Sequence, residues 1–171
     1  SGSVPEVLQL SNSFLKANAT TTVNYKANLP QVPKTENFDP DLPGSELLRA
    51  GEFGGTDGVD LNEIEAEDHD KFTANSIYGG AITVYAPNGA PASVQMRWAK
   101  VDSAASGTEE KWHLYYMADN REGSTEPMWR RVEEDYIFNS SGSMDPMVAE
   151  SEIDPLSING VTVGKVALRH E

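Results

Sequence analysis

The chain has 171 residues and a mass of 18.6 kDa, the size of a single domain. Thirteen basic residues against 27 acidic ones give a net charge of −14, a balance that repels phosphate backbones and anionic bilayers and so excludes nucleic acid and membrane surfaces as partners. The absence of cysteine removes disulfides, thiolate metal centres and cysteine nucleophiles together.

No stretch approaches the roughly 18 consecutive apolar residues that a membrane-spanning helix requires, and no basic, apolar and small-residue series of a cleaved signal peptide opens the sequence. Residues 1–19 lack a clean period and read as an N-terminal arm or connector. Thr20 to Lys26 is rich in β-branched residues, with Thr21, Val23 and Tyr25 sharing one face at period two, which predicts a strand. Pro30, Pro33, Pro40 and Pro43 then mark an extended connection that is neither helix nor central strand.

The charge is unevenly spread along the chain. From Glu36 to Asp70 there are twelve acids and one base, Arg49, so most of the net charge sits in about a fifth of the length. Ser45 as N-cap, Leu47 and Leu48 as apolar contacts and Gly51 as a stop predict at most one short helix here. The stretch 44–71 otherwise reads as an acidic insertion, a solvated loop with little packing of its own.

Beyond Ser76 the pattern turns to β. Ile82 and Val84 share one face; Val94, Met96 and Trp98 alternate with Gln95 and Arg97; Trp112, Leu114 and Tyr116 alternate with His113 and Tyr115. These eight apolar residues are the predicted core. Asn88-Gly89 supplies a hairpin turn between the first two strands. Trp129 to Phe138 is mixed, and Ile158, Val161, Val163, Val166 and Leu168 form two short runs around Gly160 and Gly164. The expected fold is all-β, an antiparallel barrel or sandwich-like domain over 20–168 with long loops, followed by a tail at 169–171.

Chemistry finds little support in spacing. Alternation puts His113 on a solvent face, and His170, next to last, is expected to fray. His69 lies in Glu67-Asp68-His69-Asp70, but adjacent residues on an extended chain point apart, so the run is a poor metal site. The calcium-loop template fails at Asp57, where the third position is Val59, and at Asp60, where Ile64 and Glu65 stand at positions five and six. A looser calcium site on the acidic segment stays open. There is no G-x-S-x-G elbow and no phosphate-cradling glycine loop. Carboxylate runs such as Glu109-Glu110 and Glu133-Glu134-Asp135 read as solvated strand ends. Trp98, Trp112 and Trp129 read as core rather than as a sugar platform. Asn18-Ala19-Thr20 and Asn139-Ser140-Ser141 match the short glycosylation sequon. No catalytic, cofactor-binding or metal-ligating set is expected, and the chain is not expected to be an enzyme.

One family resemblance runs through the chain. Thr20-Thr21-Thr22, leading to Asn28-Leu29-Pro30, resembles the T-T-T-x-x-x-x-x-N-L stretch of bacterial flagellar hook proteins. Ile82-Thr83-Val84-Tyr85, followed by Asn88-Gly89, is similar to that family's T-V-Y-D-x-x-G-N hairpin, with Ala86-Pro87 departing from it. Val94 to Val101 is similar to its partner strand, Lys111 to Tyr115 to the next, and Phe138 to Gly142 to an F-x-x-x-G segment. The resemblance covers most of Asn18 to Leu168 in order, interrupted by the acidic stretch. It implies a fragment of a longer subunit, the middle and outward-facing domain of the curved joint between motor and filament. Its partners would be other copies of the same protein, and its place the extracellular hook, reached without a cleaved signal peptide. The isolated fragment is expected to be monomeric. The reading from residues alone leaves an alternative, a secreted carbohydrate- or calcium-binding β-module.

Overall fold

The computed structural model describes residues 20–171, and the arm expected at 1–19 lies outside them. Among these residues nine strands form two facing sheets, an all-β sandwich-like fold. The first sheet has three strands, β1 (Thr21–Tyr25), β9 (Val161–His170) and β8 (Glu150–Ile158), in the order β1-β9-β8. The second runs β2 (Glu63–Ile64), β6 (Trp129–Arg131), β5 (Glu110–Met117), β4 (Pro91–Asp102), β3 (Ile77–Tyr85), with β7 (Tyr136–Phe138) paired to the far end of β5. Every pairing is antiparallel except β1 with β9, which is parallel, Thr21 opposite Val166 and Tyr25 opposite His170.

The period-two runs become strands because each has one face to bury. All eight predicted core residues, from Ile82 to Tyr116, are buried between the sheets, where they meet Tyr25, Ile153, Leu156, Val166 and Leu168. At the β3–β4 turn Gly89 takes φ +86°, and the Asn88 Oδ1 accepts the Ala90 N–H at 3.0 Å. Strand β8 was not expected. Its inward Ser151 and Ile153 alternate with outward Glu150, Glu152 and Asp154, so its polar content hides the period, and Pro155 lies at a register shift on a sheet edge, where proline is tolerated. The expected tail at 169–171 is largely strand, since β9 extends to His170.

The acidic segment corrects the expectation most. It is a packed layer on the outer face of the second sheet. Leu48, Ile64 and Phe72 are buried there against Ala99, Tyr115 and Trp129. Leu48 N–H donates to Lys100 O at 2.8 Å, Met128 N–H to Ile64 O at 2.8 Å and Tyr115 OH to Leu61 O at 2.5 Å. Arg97 holds the layer's far end by donating to Thr73 O and to the Ser76 hydroxyl and carbonyl. The short helix is α1 (His69–Ala74), whose buried residue is Phe72, and not the stretch after Ser45. Ser45 instead bonds the Asp39 backbone, and a 3-10 turn spans Ala50–Phe53. Strand β5 is thereby buried on both faces.

Candidate functional site

Covering β5 changes the fate of its histidine. His113 is 2% exposed, contrary to the solvent-face expectation, because the acidic layer closes over the face that alternation assigned to water. Its Nε2 lies 2.7 Å from Asp135 Oδ1 and 4.0 Å from Asp60 Oδ1, while its buried Nδ1 has no partner among the described residues. Asp60 comes from the acidic segment, His113 from β5 and Asp135 from the turn between β6 and β7, and their ligand atoms lie within 4.8 Å of one another. Arg131 on β6 flanks the group, with Nη2 3.4 Å from Asp60 Oδ2 and Nη1 3.9 Å from Asp135 Oδ1. Burial, aided by the Arg131 charge, pushes the His113 pKa below its ordinary value against the opposing pull of Asp135 and Asp60, which favours the neutral ring. Burial raises the Asp135 carboxyl, but the His113 hydrogen bond and the nearby His113, Lys111 and Arg131 charges bring it below the usual carboxylate range. Beside the cluster is a cavity of about 340 Å³ bordered by Asp57, Asp60, Asp102, Lys111 and His113.

The other histidines are structural. His69 Nδ1 accepts the Trp129 indole N–H at 3.0 Å and the two rings stack, so Glu67-Asp68-His69-Asp70 does not converge on a common point. His170 is held, not frayed: its Nε2 lies 3.0 Å from both Tyr136 OH and Ser151 Oγ. That Ser–His contact is no hydrolytic dyad. Ser151 is buried, Tyr136 competes for the same ring nitrogen, and no carboxylate orients the ring among the described residues.

A groove of about 860 Å³ runs between residues 27–31, the β4–β5 turn and the turn after β7. Among the described residues its border carries Glu109, Glu110 and Glu171 and no lysine or arginine, so that lining does not suit an anionic ligand. Glu110 is engaged from below by Lys100, a buried lysine that also donates to Gln31 O at 2.7 Å. The three tryptophans are at most 3% exposed and offer no sugar platform. Trp98 Nε1 instead donates to Tyr25 OH at 2.8 Å, and that hydroxyl donates to Gly79 O at 2.6 Å.

Three acids of the calcium-template windows have partners of their own. Asp57 Oδ1 accepts from Gly51 N–H, Asp60 meets Arg131, and Glu63 pairs with Arg130. Sequence spacing had no means of finding the Asp60–His113–Asp135 group, because its members are distant in the chain. The one available signal was a histidine alternating with strand core residues. Comparison with protein-family models, with curated proteins and with solved structures gives no match.

Proposed function

We propose that this chain is the β-rich outer domain of a bacterial flagellar hook subunit, a structural element that works by contact with copies of itself. The observation that carries the reading is the ordered series of segments from Thr20 to Gly142 that resemble that family. Those segments coincide with β1, with the β3–β4 hairpin, with β5 and with β7 and its following turn; β3, β4, β5 and β7 share one sheet. The first and last described strands are neighbours, an arrangement that suits a domain inserted into a longer chain.

The mechanism is mechanical. Outer domains of adjacent subunits slide over one another through modest, hydrated contacts while an inner tube bears the load. An acidic face repels its copies and keeps such contacts weak. The test is labelling of isolated hook–basal-body particles from the source organism with antibody raised against this chain. Decoration confined to the hook supports the reading, and intact hooks that stay bare refute it.

A further inference from the structure

We propose that Asp60, His113 and Asp135 form a three-ligand site for a divalent first-row transition ion of the zinc class. The site requires nothing of the hook reading. An imidazole with two carboxylates suits Zn²⁺, Co²⁺ or Mn²⁺ better than Ca²⁺, which prefers oxygen ligands alone. Beyond acidity, the site has a histidine that is 2% exposed, aims Nε2 at both carboxylates and has no hydrogen-bond partner outside the cluster among the described residues. A neutral imidazole is the form that binds metal.

The geometry needs small movements. Metal–ligand lengths of about 2.1 Å place tetrahedral ligands about 3.4 Å apart. Nε2 and Asp135 Oδ1, now 2.7 Å apart, must open slightly, and Asp60 Oδ1, now 4.0 Å from Nε2, must close. Both carboxylate side chains are about half exposed, at 52% and 46%, and have room to do so. Arg131 is compatible with the ion because it donates to Asp60 Oδ2, which leaves Oδ1 as ligand and steers it, while its Nη1 stands 3.9 Å from Asp135 Oδ1, beyond hydrogen-bond length, and leaves that oxygen free to bind. It also partly offsets the negative charge of the set. With three protein ligands, at least one coordination position falls to water. Loading moves the ring proton from Nε2 to Nδ1, which has no acceptor among the described residues, so affinity should fall short of a site with a complete outer shell by about 10–100-fold.

The whole chain titrated with Co²⁺ should take up one ion per molecule, with visible ligand-field absorption that Zn²⁺ abolishes by displacement. Asp60→Asn and Asp135→Asn should each weaken binding by at least about tenfold. Both side chains lie outside the apolar cores, so unfolding curves without metal provide the folding control. Paramagnetic broadening should strike the His113 ring before those of His69 and His170. Absence of saturable uptake, affinity indifferent to both substitutions, broadening centred on another histidine, or displacement of Co²⁺ by an equal concentration of Ca²⁺ would each overturn the assignment.

Discussion

Phe72→Ala tests whether the acidic segment is a packed layer. The Phe72 ring is fully buried, 4.9 Å from the Tyr115 ring in an edge-on contact and 5.1 Å from Trp129. Losing that burial costs about 2–3 kcal/mol in transfer free energy. Two aromatic contacts add about 0.5–1.5 kcal/mol each. The sum, about 3–6 kcal/mol, overlaps the usual cost of about 3–5 kcal/mol for Phe→Ala in a core and is a large share of the about 5–15 kcal/mol that stabilises a typical domain. For a chain of this length the melting temperature should fall by about 6–24 °C. Urea unfolding followed by circular dichroism measures the global term. Amide exchange over residues 45–76 measures any separate opening of the layer. A loss below about 1 kcal/mol, with exchange in that stretch unchanged, would refute the packed layer and restore the solvated loop.

Gly79→Ala should destabilise by about 1–3 kcal/mol, because a Cβ there would sit 2.7 Å from Tyr25 OH and 2.8 Å from the Trp98 ring; thermal melting checks it. Lys100→Met should cost about 2–4 kcal/mol by leaving the Glu110 carboxylate and Gln31 O without their buried partner, and adding Glu110→Gln should recover part of the loss in a double-mutant cycle. Stability should fall on both sides of neutrality, read from urea midpoints across pH. Burial holds His113 and His170 below the unfolded value of about 6.5, so the unfolded chain binds more protons and stability declines as pH drops beneath it. Asp119, held low by the Arg121 hydrogen bond, adds to that decline at lower pH, as does Glu110, where burial is outweighed by Lys100. On the alkaline side burial pushes Tyr25 up to about 12, so stability falls above about pH 10, where the unfolded tyrosine ionises. The isolated chain should sediment as a monomer, and any association should strengthen with salt as like-charge repulsion is screened over about 10 Å at 0.1 M; a dimer that dissociates in salt would reveal an electrostatic docking face.

Local sequence determined the sandwich. Ile82, Val84, Val94, Met96, Trp98, Trp112, Leu114 and Tyr116 are legible because alternation at period two is a property of the strand itself and needs no knowledge of what lies opposite. Asn88-Gly89 is legible for a similar reason, since glycine meets the turn's backbone demand locally. The parallel pairing of β1 with β9 is a contact between the two ends of the fold, and no local pattern encodes it. The outer layer was illegible because Ile64 and Phe72 are isolated apolar residues among charges, too sparse to set a period. What made them core was the opposing face of β5, where Tyr115 and His113 lacked water only once that layer had docked. The same docking created the candidate metal site: Asp60, His113 and Asp135 come from three separate elements, and only tertiary packing, which excludes water from one of them and brings the other two alongside, turns them into a group.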